Sequence, residues 1–138
     1  MVGFDVREME LNDYNDINKL NSKIDYSKVK YILEDRNHLM IVAQLNDDVI
    51  GYISSNLNED IKANKVVGIE DIIVDEKYRG LGVGHQLMLE LEKSKKSKGA
   101  NYIISSNKNC NEEEIKFYKR QGFTLDNDFK FIKNTNLQ

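Results

Sequence analysis

Six consecutive residues, Arg79-Gly80-Leu81-Gly82-Val83-Gly84, stand between an apolar, β-branched run and a stretch with helical spacing. Three glycines remove side chains where the backbone must turn sharply. They leave successive N–H groups directed into one concavity at a helix N-terminus, a site that suits phosphate oxygens. Arg79 adds a charged donor beside it. The same glycines also serve a tight strand-to-helix turn that holds no ligand. The run lacks the Lys-Ser or Lys-Thr that a P-loop places after its last glycine. A dinucleotide-binding fold carries such glycines in its first βα unit, whereas these lie past the chain's midpoint.

Glu70 and Asp71 interrupt Val66–Val74, which is otherwise apolar apart from Gly68. Acids are depleted in strands, and burying one unpaired is costly. Either a Lys or Arg of a neighbouring element pairs with one of them, or a cationic ligand docks beside them. On a regular strand the two face opposite sides, and a bulge would change that. Asn111 and Glu114 have the spacing of an N-cap and its N3 acid, with Ile115 and Tyr118 on one face of the helix that follows.

The remaining reactive side chains carry less. Cys110 is the single cysteine, which excludes an internal disulfide and a Cys-based zinc cage. No His or Asp stands near it at a nucleophile's spacing. His38 and His85 are far apart and outside any metal-ligand pattern, so no metal is expected. His85 follows the last glycine and reads as a helix surface residue. Lys93–Lys98 reads as a solvated helix end whose charges suit the negative end of the dipole.

These residues need elements to hold them. Val2–Met9 alternates loosely and reads as a strand. Tyr14, Ile17 and Leu20 mark a helix face. Ser27 can cap a second helix with Val29, Ile32 and Leu33 inside. Leu39–Leu45 and Val49–Ser55 flank the turn residues Asn46-Asp47-Asp48 and read as a hairpin. Asn56–Lys65 reads as a loop, and Val66–Val74 as the strongest strand. Leu87, Met88 and Leu91 mark a helix face, with Gly99 as its C′ residue. Tyr102–Ser105 is a short strand, Gly122 ends the helix begun at Asn111, and Asp128–Lys133 is a final strand. The order β-α-α-β-β-β-α-β-α-β gives a mixed α/β sheet with helices on both faces, and a right-handed βαβ unit around residues 66–105.

Length and charge set the outer limits. A chain of 138 residues is one domain, residues 1–138, large enough to build a core. Its formal charge of −3 and lack of a basic stripe argue against nucleic acid. The N-terminus lacks the basic-then-apolar pattern of a signal peptide, and the longest apolar run, Leu39–Ala43, is far short of a membrane span. The expectation is a cytoplasmic protein with no membrane or nucleic-acid partner.

Val74 to Gly84 resembles the first signature of the GNAT superfamily of acetyl-CoA-dependent N-acetyltransferases: Arg or Gln, two residues, Gly, one residue, then Gly or Ala. Arg79, Gly82 and Gly84 fill those places. Asn111 to Tyr118, followed by Gln121-Gly122-Phe123, resembles the second, where Asn precedes a helix bearing Phe-Tyr and ending in Gly-Phe. The element order resembles the family's from residue 1 to about residue 133. One departure is visible: many members have Pro two residues after the strand-end Val, and here it is Glu76. That should loosen the turn slightly.

The resemblance implies a GNAT-like acyl-CoA N-acyltransferase fold that splays between its fourth and fifth strands. It implies that Ile73 and Val74 bond the pantetheine arm through their backbones. Arg79, Gly80, Leu81, Gly82, Val83 and Gly84 would hold the pyrophosphate. Asn111 would reach the pantetheine, and Tyr118 would sit near the thioester sulfur as the acid. Amine attack on a thioester needs a neutral amine, a donor for the oxyanion and a proton for the thiolate. Glu70 is the expected base, and Asp71 the residue that attracts a cationic acceptor. Members acting on polyamines or amino-sugar phosphates carry a similar Glu-Asp pair. Tyr26, Tyr31 and Arg36 lie where the family shapes its acceptor pocket. The implied reaction is direct transfer from acetyl-CoA, without metal, to a primary amine of a small molecule or peptide, with a homodimer possible. A catalytically silent acyl-CoA-binding sensor is the alternative.

Overall fold

The computed structural model describes residues 3–94, 97, 99–106, 110–126 and 130–135. Among them, Asp5–Glu8 forms β1, Tyr14–Leu20 α1 and Tyr26–Glu34 α2. His38–Leu45 forms β2, Asp48–Glu59 β3 and Lys65–Val74 β4. Val83–Lys93 is α3, Tyr102–Ser106 β5 and Glu112–Arg120 α4. Thr124–Leu125 and Lys130–Asn134 are β6 and β7. One sheet runs β1-β2-β3-β4-β5-β7-β6. Every pairing is antiparallel except β4 with β5, which are joined through α3 as the expected βαβ unit.

Period-two alternation sends each strand's apolar residues to two cores. Leu39, Ile41 and Ala43 of β2, with Ile53, Val67 and Ile103, meet Leu87, Met88 and Leu91 of α3 on one face. Met40, Val42 and Tyr52 meet Ile17 of α1 and Val29 and Ile32 of α2 on the other. Helices therefore cover both faces, as the element order implied. None of the described helices is long and apolar enough to cross a membrane.

Several boundaries differ from the sequence reading. The cap of α2 is Asp25, whose Oδ1 accepts from the Lys28 N–H at 2.9 Å, and Ser27 lies inside the helix. Leu33 is 43% exposed and does not join Val29 and Ile32 in the core. Asn56–Glu59 continues β3 by pairing with Lys65–Gly68, so the loop shrinks to residues 60–64. Ladder bonds satisfy that backbone whether or not its side chains are apolar. Helix α3 stops at Lys93 with Ser94 as C-cap; Gly99, at φ 83°, serves the turn that follows. Gly122, at φ 92°, ends α4 as expected. The strand β6 was not foreseen: it is two exposed residues long. Val2, Lys95, Lys96, Lys98, Asp128 and Phe129 lie outside the described residues.

Candidate active site

The site begins where β4 leaves β5. β4 stays paired to β3 through Val74, but its parallel pairing with β5 runs only from Val66 to Ile69. The register shifts at that point: Ser55 faces Ile69 and Ser54 faces Asp71, so Glu70 is the extra residue of a bulge. A bulge bends its strand and raises the local twist, which turns β4 away from its neighbour. A cleft of about 920 Å³ opens between β4 and α4. Its β4 wall is Asp71 to Val74, its base the glycine turn, and its far wall Asn111, Phe117 and Tyr118. Ile72–Val74 has no strand partner on the cleft side among the described residues. A strand edge left open in this way offers backbone hydrogen bonds to an amide-bearing chain.

Gly80 and Gly82 have φ of 81° and 82°, the left-handed region that glycine enters without steric cost. A Cβ at either would meet nothing within 4 Å, so both backbones face open space. Gly82 is the N-cap of α3, whose first N–H groups have no carbonyl partner earlier in the helix. These orphan donors and the helix dipole suit phosphate oxygens. Gly84 answers a different need: a Cβ there would stand 3.0 Å from Phe117 Cε1. Its absence lets α3 and α4 close over the turn. Arg79 Nε donates to the Val74 carbonyl at 3.1 Å and ties the turn to the strand end. Leu81 is 51% exposed and is not among the residues that line the cleft. Glu76 starts a 3-10 turn through Tyr78, capped by Asp75 Oδ1 accepting from the Lys77 N–H. The turn that Glu76 was expected to loosen is thus held by Asp75. His85 Nδ1 and Gln121 Oε1 stand 2.7 Å apart and link α3 to the end of α4.

Asn111 forms the expected capping box: its side chain accepts from the Glu114 N–H at 2.9 Å and Glu114 Oε1 accepts from the Asn111 N–H at 3.4 Å. That uses Oδ1 and leaves the two amide hydrogens for a ligand. Tyr118 is 4% exposed and stacks on Phe131 with centroids 4.9 Å apart. Its hydroxyl accepts from Ser105 Oγ at 3.0 Å. Burial pushes the Tyr118 phenol up to about 12, against the lowering effect of Ser105. It therefore keeps its proton at neutral pH and can donate it into the cleft. Burial, with Glu114 beside it, also raises the Cys110 thiol, which disfavours a nucleophilic thiolate.

The acid pair divides at the bulge. Asp71 lines the cleft, where Oδ2 accepts from Tyr52 Oη at 2.7 Å and Asn21 Nδ2 at 3.3 Å. Burial and the adjacent Asp71 carboxylate hold the Tyr52 phenol well above its usual range. Glu70 stands outside the cleft wall and accepts from Ser54 Oγ at 3.0 Å. His38 Nε2 lies 3.3 Å from Glu70 Oε1. Among the described residues neither acid has a Lys or Arg partner within salt-bridge distance. Tyr31 meets the His38 ring edge-on at 5.8 Å, whereas Tyr26 packs against Tyr14. Tyr52, Asn21, His38 and Ser105 are the contributors that sequence reasoning missed. They come from four separate elements, and no local spacing links them to the motifs.

The family model for the acetyltransferase (GNAT) family matches residues 5–123. A glucosamine 6-phosphate N-acetyltransferase of Trypanosoma brucei brucei is 36% identical over 63 residues, which is 45% of this chain and 41% of that protein. The chain spans about two fifths of the length of the curated relatives it matches. The fold resembles that of a PaiA N-acetyltransferase from Thermoplasma acidophilum, solved in complex with coenzyme A. Its TM-score is 0.82 at 17% identity, covering 96% of this chain and 99% of that one. A glucosamine-6-phosphate N-acetyltransferase from Arabidopsis thaliana gives a TM-score of 0.74 at 20% identity, covering 90% and 93%.

Proposed function

The chain belongs to the acetyltransferase (GNAT) family, and from that premise we propose that it transfers the acetyl group of acetyl-CoA directly to a primary amine. One observation carries the reading: the cleft-side edge of Ile72–Val74, without a strand partner among the described residues, runs straight into a glycine turn with orphan N–H groups. Acetyl-CoA has the matching parts in the same order, since its pantetheine amides need a strand edge and its pyrophosphate needs a helix N-terminus. Bound there, it would supply an activated thioester.

The chain's own groups then have these roles. Ile73 and Val74 hold the pantetheine through their backbones, and the Asn111 amide donates to it. The N–H groups from Gly80 to Gly84 hold the pyrophosphate, with the Arg79 guanidinium beside them. Tyr118, kept protonated by burial, gives its proton or a hydrogen bond to the departing sulfur. Asp71, on the cleft wall, attracts the ammonium form of the acceptor. Glu70 removes the amine proton through water, from its place on the bulge.

An amino-sugar phosphate stands first among acceptors, because a relative 36% identical over 63 residues is named for that substrate. The test is free-thiol release from acetyl-CoA over amino sugars and their phosphates, polyamines, amino acids and peptides. Amine-dependent release with at least one acceptor is expected. Acetyl-CoA binding without release on any amine would instead favour a silent binding module.

A further inference from the structure

His38 opens β2, only 13% of its side chain is exposed, and each ring nitrogen faces a carboxylate. Nδ1 lies 2.9 Å from Asp35 Oδ2, just past the end of α2. Nε2 lies 3.3 Å from Glu70 Oε1 and 3.4 Å from Oε2. A neutral imidazole has one donor and one acceptor, so it can satisfy only one of the two. Asp35 takes the donor. Its carboxyl is held below the usual carboxylate range by the Asn37 N–H, then by His38, with the Tyr31 hydroxyl contributing. That leaves Nε2 facing Glu70, and a lone pair facing a carboxylate is repulsive unless a proton lies between them.

We propose that His38 is a positioning residue for Glu70: its Nε2, directed at the carboxylate on the bulge, accepts the proton that Glu70 removes from the acceptor amine. This rests on the reading of Glu70 as the base. The proton balance closes. The ammonium N–H bond breaks as a Glu70 O–H bond forms, and that bond breaks as Nε2–H forms. The resulting imidazolium lies between two carboxylates, which stabilise it, and it returns the proton to water. Among the described residues, the groups facing the ring include Asp35 and Tyr31 from the α2 side, Glu70 from β4 and, beside Glu70, Ser54 from β3. Lys28 lies 5.3 Å from the Tyr31 ring centroid. The two carboxylates occupy opposite ring nitrogens, so they do not converge on one cation.

The test compares the parent, Glu70→Gln and His38→Gln in pH profiles of turnover with the best amine, alongside ¹⁵N spectra of the imidazoles. The chain has only two histidines, so the signals are separable. Turnover of His38→Gln should fall about tenfold, less than the 10²–10⁴ of a group acting directly. Its profile should move upward in pH toward the ionisation of the amine itself, with the Michaelis constant for acetyl-CoA unchanged. A merely structural staple would not move that profile. The neutral imidazole of His38 should be the Nδ1–H tautomer, with Nε2 left as the acceptor toward Glu70. Asp35→Asn should change turnover in the same direction, and it decides the matter if His38→Gln does not fold. A parent-like profile in His38→Gln, with Glu70→Gln impaired, would overturn the relay and leave Glu70 as base. Parent-like kinetics in Glu70→Gln would overturn both.

Discussion

Tyr52 donates to Asp71 at 2.7 Å from the neighbouring strand, one residue past the bulge, so the cleft's acid is held by a phenol rather than by a cation. A phenol fixes the carboxylate's direction and leaves its charge uncompensated for an incoming ammonium. Asn21 reaches both partners, donating to Tyr52 Oη at 3.0 Å as well as to Asp71.

Tyr52→Phe removes that hydroxyl and nothing else. A hydrogen bond to a charged group is worth about 1.5–3 kcal/mol. The melting temperature should fall accordingly, and the Michaelis constant for a cationic amine should rise several-fold. Asp71→Asn should raise the same constant further with a smaller effect on turnover, since it removes attraction rather than a proton carrier. Steady-state kinetics with the best amine checks both. Unchanged amine constants in the pair of variants would remove Asp71 from acceptor binding.

Tyr118→Phe should lower turnover by about 10²–10⁴ if the hydroxyl serves the leaving sulfur. Acetyl-CoA binding should change little. With its phenol raised to about 12, the parent should show no alkaline loss of activity from this group near pH 10, where an ordinary tyrosine ionises. The unfolded chain ionises Tyr118 from about pH 10, and the folded chain only from about 12. Its contribution is therefore complete below pH 10 and declines as pH rises from there to 12. Denaturant titrations across pH 8–12, comparing parent and Tyr118→Phe, should show a shallower alkaline decline in the variant.

Gly82→Asp places a carboxylate in the glycine turn proposed to hold the pyrophosphate, at a φ of 82°. Strain of about 1–2 kcal/mol is expected from the left-handed backbone alone. Gly82→Asn has nearly the same shape and no charge, so the difference between the two isolates electrostatics. Acetyl-CoA should raise the melting temperature of the parent, because it binds only the folded state. It should raise that of Gly82→Asn less, and that of Gly82→Asp not at all. An equal rise in all three would place the phosphates elsewhere.

What the sequence disclosed follows from how local each signal is. The Asn111–Glu114 cap spans four residues and the glycine turn six, so spacing alone reveals both. The Glu70 bulge was foreshadowed by two acids within an apolar strand. By contrast, the partners of those acids arrive from the end of α1, from β2 and from β3, up to 50 residues away. Ser105 looks like any strand serine until Tyr118 packs against it. Asn56–Glu59 read as a loop because its side chains are mostly polar, yet β4 satisfies its backbone.

Initial rates of thiol release, with acetyl-CoA and the best amine varied together, test the central claim most directly. Direct transfer within one cleft requires both substrates bound at once, so reciprocal plots should intersect and no thiol should appear without amine. Parallel lines, or a burst of thiol before amine is added, would mean that an acyl-enzyme forms and would contradict direct transfer.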